Sequence, residues 1–447
     1  MKYNPQHRRL RQGAAAVAAI AALAMLAGCA SAAPTQTDSS GAFTPVEQDD
    51  KAALNVLVDP TRQAAVEAYQ EAHPDVKLTI ETFDGTGLQT KMSLFDKSGS
   101  GWPDVVFSPV TSDVAWASKS SGGGAQPYAA PLNQDLIPQS TLDGWAEGSL
   151  SPCEANGNTY CLRNDLAQTV LWYNKAMFDE WGYDVPATWE EFQELGLKVA
   201  QEHPGYLVGQ FGDPNALDTY FWASRCSVQE TTDDPNTLKI DMTTPECTKM
   251  AGLLDTLLDA GVMGKQSYFE KGLDGSKMLM AVGPSWFGKY LFEATYKTPA
   301  GQIGVADQPQ WEGDSTASNG NVGGGVWMVS SHSKNLKTAT DLVTWATSDT
   351  DFQKSAPTYP ANKDAAAAWL TNPDNISYFA TDVEAPLQKA ADQVWKGWAN
   401  TTFLDQDPFK NVVLTGINAG KSVTSLLPDW QTEQTNTAKA AGYEVVQ

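Results

Sequence analysis

From Leu54 onward, short apolar runs alternate with stretches in which apolar residues return every three or four positions. The first pattern suits buried strands, the second helices packed by one face. Leu54 to Val58 is a run of the first kind. Gln63 to Ala72 has helical spacing and stops at His73-Pro74, because the residue before a proline is pushed out of the helical region. Val76 to Glu81 reads as a second strand, which completes a βαβ unit. Pro103 to Phe107 is a further buried strand, as is Thr169 to Asn174, followed by a short helix from Lys175 to Trp181. Thr188 with Glu191 three residues on forms a capping box for a helix that runs to Glu202 and again stops at His-Pro. Helices are expected at Cys247 to Ala260, Leu336 to Ser348 and Asn411 to Leu426. The pattern is α/β throughout, without internal repeats.

The first 50 residues follow another logic. Lys2, Arg8, Arg9 and Arg11 precede an alanine-rich apolar segment, Ala14 to Ala27, too short to span a bilayer as a mature helix. Residues 1–28 therefore read as a lipoprotein signal peptide. Its end, Leu26-Ala27-Gly28-Cys29, looks like a bacterial lipobox, which makes Cys29 the lipidated first residue of the mature chain. Two or more acyl chains anchor a protein without spanning the membrane. Residues 29–51, rich in Ser, Thr, Ala, Pro and Asp, have too few apolar groups to offset their ordering entropy and are expected to form a flexible tether.

Charge narrows the partners. The chain carries −23 formally, and removing a leader with four basic residues and no acid brings the mature form near −27. Such a surface repels phosphate backbones and anionic headgroups, so nucleic acid is excluded and the membrane is met only through the anchor. Of five cysteines, Cys29 is taken by lipid. The other four allow three pairings, of which the nearest-neighbour one, Cys153 with Cys161 and Cys226 with Cys247, is expected. An Asn156-Gly157 turn between Cys153 and Cys161 makes their flanks the arms of a hairpin, and disulfides place the folded chain in an oxidising compartment. The His and CxxC spacings of a zinc site are missing, and no metal or cofactor is expected.

Two enzyme-like motifs fail on inspection. Gly420-Lys421-Ser422 ends like a phosphate-binding loop, but Thr415 stands where the first glycine belongs. In Gly283-Pro284-Ser285-Trp286-Phe287 the last position of a nucleophile elbow is Phe instead of Gly, and of the three histidines of the mature chain only His332 is free of a helix-ending His-Pro pair.

The segment Tyr173-Asn174-Lys175, followed by Pro186-Ala187-Thr188-Trp189-Glu190-Glu191, resembles the extracellular solute-binding proteins of bacterial ABC importers, in the large sugar-binding family that includes maltose-binding protein. "EAHPDVKL", "GWPDVVF", "GSKMLMAVGPSWF" and "GGGVWMVSSHSKN" fall in family order, so the resemblance covers essentially the whole mature chain. It implies a two-lobed periplasmic-binding-protein-like α/β fold, with a ligand cleft between lobes joined by multiple chain crossings. By position these fall near 162–168, 323–329 and 357–361. Lobe one would comprise 52–163 plus 328–357, and lobe two 164–327 plus 358–447. The implied function is that of a non-enzymatic, monomeric, lipid-anchored receptor on the outer face of the cell membrane. It captures a carbohydrate, an oligosaccharide, and delivers it to ABC permease subunits.

Fifteen Trp and fourteen Tyr favour sugar, since flat rings meet the C–H face of a pyranose while polar side chains fork to its hydroxyls. Trp189, Trp327 and Trp345 sit in core patterns. Trp286 matches the position where the family stacks an aromatic on sugar, and Trp398 and Phe403 lie in a region that supplies another. Ser108 stands where the maltose-binding member has a tryptophan, so that subsite differs. Asp59, Arg62 and Asp165 are the expected hydroxyl-binding groups, and Gly324 and Gly325 leave room for backbone to approach the ligand. Two other classes stay open: a secreted carbohydrate hydrolase, which needs only two carboxylates about 5–9 Å apart, and a receptor for polyamine or another non-sugar solute.

Overall fold

The computed structural model describes residues 43–85, 87–119 and 126–447. The signal peptide, Cys29 and most of the tether lie outside these residues. Phe43 to Lys51, assigned to the tether, is bonded along one lobe: Gln48 reaches the Ser333 carbonyl and the Leu336 N–H, and Asp49 N–H donates to Lys334 O.

Two sheets organise the rest. The larger has the strand order Leu78–Thr82, Leu54–Val58, Val105–Ser108, Val326–Val329, Leu162–Arg163. The first three are parallel, as the βαβ reading requires, and Val326–Val329 runs antiparallel to both its neighbours. In the second sheet Thr169–Asn174 is central, antiparallel to Met280–Pro284 and Ile303–Ala306, and all six of its residues are buried. Helices cover these sheets, and a continuous apolar run is what such sandwiched strands need.

Between the sheets three segments lie side by side. Residues 162–169 run in the middle: Asn164 N–H donates to Gly325 O, Leu166 N–H to Tyr359 O and Thr169 N–H to Gly320 O, while Ala361 N–H returns to Asn164 O. These are the stretches at which the chain was expected to cross between lobes.

Local chemistry sets the element ends. Glu191 N–H donates to the Thr188 hydroxyl and Thr188 N–H to the Glu191 carboxylate, opening helix Trp189–Glu202. Both expected disulfides are present, with Cα separations of 5.0 and 4.6 Å. Asn156 and Gly157 take φ of 51° and 75°, the left-handed pair that a tight hairpin turn demands. The C-terminal expectation needs correction. Instead of one helix over Asn411 to Leu426, the chain breaks after Thr415–Asn418, turns at Gly420 with φ of 83°, and restarts as Val423–Ala440 under a Ser422 cap. The residues that mimic a phosphate loop are thus a helix stop and the next helix start.

Candidate functional site

A cleft of about 560 Å³ opens between the lobes. On one side it is walled by Pro109–Ser112, Glu147–Ser149, Pro152 and Glu154. On the other stand Asn215, Asp218, Trp222, Gln229 and the Trp395–Gln406 segment, with Arg163, Asn321 and Gly323 at the crossing segments. Arg163 is buried and spends its guanidinium on the carbonyls of Gly323 and Gly324. Burial pulls its pKa down to about 10, so it stays cationic at neutral pH.

Aromatic rings furnish one wall. Trp222 and Trp398 stack 5.0 Å apart and 5° from parallel, and Trp395 meets Trp398 edge-on at 6.3 Å. The Trp222 indole N–H donates to Trp395 O at 2.7 Å, which fixes the group. Trp222 follows a wide turn, Leu217–Phe221, in which its own N–H reaches back five residues to Leu217 O. That places Asp218 beside it on the cleft side. Asp218 and Asp405 are both buried. Asp405 accepts from Trp398 Nε1 and Gln229 Nε2, each at 3.1 Å, and Asp218 accepts from Gln406 Nε2 at 2.9 Å. Burial pushes the Asp405 carboxyl up to about 6. Burial first, and then the negative charge of Asp405, raises Asp218 well above the usual carboxylate range.

Of the residues expected at the site, Trp398 and Phe403 line this cleft. Trp286 lies apart from it, half-buried, with its N–H on Val322 O at 3.0 Å and its ring offset-stacked on Phe269. It borders a small void of about 20 Å³ that shares Asn215 with the cleft. Asp59 accepts from Thr61 and from Arg62 N–H, and so shapes the turn before the first helix. Arg62 pairs with Asp165 at 3.2 Å and lies 4.9 Å over the Phe107 ring. Ser108 donates to Asp113 at 2.6 Å. A Cβ on Gly324 would fall 2.3 Å from the Arg163 guanidinium, and one on Gly325 2.2 Å from the Phe107 ring, so both glycines make room for neighbouring side chains. Trp189 and Trp327 are fully buried, as expected of core, and Trp345 packs on Tyr69 and Phe352.

The model of the bacterial extracellular solute-binding protein family matches residues 55–351. The chain belongs to this family. An arabinooligosaccharide-binding protein of Halalkalibacterium halodurans is 24% identical to this solute-binding protein over 63% of each chain, so the chain spans just under two thirds of that relative's length. A multiple sugar-binding protein of Streptococcus mutans is 26% identical over 66% of this chain and 70% of its own. The structure of the galacto-N-biose/lacto-N-biose I-binding protein of Bifidobacterium longum superposes with a TM-score of 0.73 at 19% identity, covering 90% of this chain and 100% of that one. Such a likeness establishes the two-lobed α/β fold.

In this solute-binding protein the cleft is also lined by Trp222, Trp395, Asp218 and Asp405, which the sequence reading did not single out. A signal was available for Asp218, a lone acid inside Ala216-Leu217-Asp218-Thr219-Tyr220-Phe221-Trp222, where an otherwise apolar run buries a carboxyl. Trp395 and Trp398, three apart, form a similar flag.

Proposed function

We propose that this solute-binding protein is the lipid-anchored receptor of an ABC importer, taking up a neutral oligosaccharide and handing it to permease subunits. The observation that carries the sugar assignment is the parallel Trp222–Trp398 pair sharing one cleft with the buried Asp218 and Asp405, the latter bonded to the Trp398 N–H. Ring faces suit the C–H side of a pyranose, and carboxylates accept from its hydroxyls. The names of the two relatives support the same reading. Glu147, Glu154, Asp218, Asp233, Asp234 and Asp405 outnumber Arg163 and Lys396 along the cleft, which disfavours uronates and sugar phosphates. We assign lobe one to 52–163 plus 328–357 and lobe two to 164–327 plus 358–447, closing over the solute as a hinge.

The test is a melting screen over arabino-oligosaccharides, lacto-N-biose, galactobiose and malto-oligosaccharides, with polyamines, peptides and uronates as controls. Stabilisation by neutral oligosaccharides alone is expected; stabilisation by spermidine alone overturns the sugar assignment. A hydrolase is the second reading, favoured by the buried acid pair with its raised pKa values. Incubation with the stabilising sugar and chromatography of the mixture decides between them, and shortened products would make the protein an enzyme.

A further inference from the structure

The two walls of the cleft are joined by direct bonds. The side-chain amide of Asn400 donates to Thr111 O at 3.2 Å and to Pro152 O at 2.8 Å, both on the opposite wall. Asn400 is held firmly on its own side. Ala399 N–H donates to Gln229 O, the Gln229 amide donates back to Ala399 O, and Thr231 N–H donates to Gly397 O.

The two acceptors are equally fixed. Thr111 opens the short helix Ser112–Ala117, which packs on the Ser151–Cys153 turn that carries Pro152. Cys153 is buried and bonded to Cys161, immediately before the edge strand Leu162–Arg163 that leads into the crossing segment. The disulfide therefore ties the lip that Asn400 grips to the base of the lobe. Two exposed contacts flank the grip: Lys396 to Glu147 at 3.0 Å, and the Lys119 ammonium 4.7 Å over the Tyr443 ring. Exposed charges of this kind contribute little, so the two bonds donated by the Asn400 amide are the strongest of these three cross-cleft attachments. Cys226–Cys247 lies in a different core from Cys153–Cys161, on the side of the cleft that carries Asn400 and away from the lip it grips.

We propose that Asn400 and the hairpin closed by Cys153–Cys161 form a catch that biases the cleft toward closure, so that this disulfide governs opening while Cys226–Cys247 serves stability alone. Asn400 is a positioning residue, acting on the lobe equilibrium whichever solute enters.

Small-angle scattering on the purified protein with no solute added tests the catch. Two hydrogen bonds, each worth about a two- to tenfold bias, make Asn400→Ala lower the closed-to-open ratio about tenfold. The radius of gyration rises while the melting temperature stays nearly unchanged. Asn400→Asp, which turns a carboxylate onto two carbonyls, opens the cleft further, and Asn400→Gln restores part of the closure. Cys153→Ser with Cys161→Ser expands the protein, whereas Cys226→Ser with Cys247→Ser lowers the melt and leaves the radius unchanged. An unchanged radius in Asn400→Ala overturns the proposal, as does equal expansion in the two cysteine variants. If the hairpin variant does not fold, the three Asn400 substitutions decide. Failure of the sugar assignment would appear only in the melting screen.

Discussion

The rings of Trp222 and Trp398 lie parallel, 5.0 Å between centroids, although the residues are 176 positions apart in the chain. Stacking uses one face of each ring and steadies the other. If Trp398 covers a pyranose, closure removes roughly 100 Å² of apolar surface, worth about 2.5 kcal/mol. Trp398→Ala should then weaken binding of the best sugar from the screen roughly fifty- to hundredfold by calorimetry. Trp398→Phe should recover part of it. Unchanged affinity in the alanine variant would return Trp398 to a packing role.

Asp405 makes stability depend on pH in a definite direction. Its carboxyl titrates near 6 in the fold, against about 3.9 in the unfolded chain. Between those values the folded protein holds more protons, so stability falls as pH rises through the window and levels off above it. Asp405→Asn removes this contribution. The variant should match the wild type near pH 4, gain on it progressively up to about pH 6, and keep a constant advantage above. Parallel melting curves across that range would show that the carboxyl does not titrate there.

Arg62 and Asp165 meet at 3.2 Å with side chains only 11% and 5% exposed. Removing one member of a buried pair strands the other, so Arg62→Met should cost about 3–5 kcal/mol in denaturant unfolding. Asp165 keeps the Asn164 amide at 2.9 Å, which sets the cost toward the lower end. Adding Asp165→Leu should recover much of the loss. Full stability with weakened sugar binding would instead make Arg62 a ligand group.

The anchor is tested at Cys29. Cys29→Ala should move the protein from the membrane fraction to the medium and abolish labelling by a fatty-acid analogue. Retention with labelling would refute lipid attachment at this residue.

Much of the architecture was legible in the residues themselves. Leu54–Val58, Gln63–Ala72, Thr169–Asn174, Lys175–Trp181, Trp189–Glu202 and Leu336–Ser348 stand at the bounds their patterns predicted. These signals are local: an apolar run, a capping box, a His-Pro stop. Both disulfides followed from spacing and an Asn-Gly turn. The C-terminal helix was misjudged because Gly420 and Ser422 outweigh the apolar spacing on either side of them.

The site was much less legible. Trp398 and Phe403 were singled out and line the cleft, whereas Asp59, Arg62 and Asp165 form a buried network beside the crossings. Sequence by itself determined which segments become strands and helices, because those depend on neighbours within a few residues. Only tertiary structure decided that Trp222 meets Trp398 and that Asn400 reaches Thr111 and Pro152, contacts separated by 176 to 289 positions. The first pair depends on how distant segments of one lobe pack and the second on how the two walls of the cleft meet, and no local pattern carries that information.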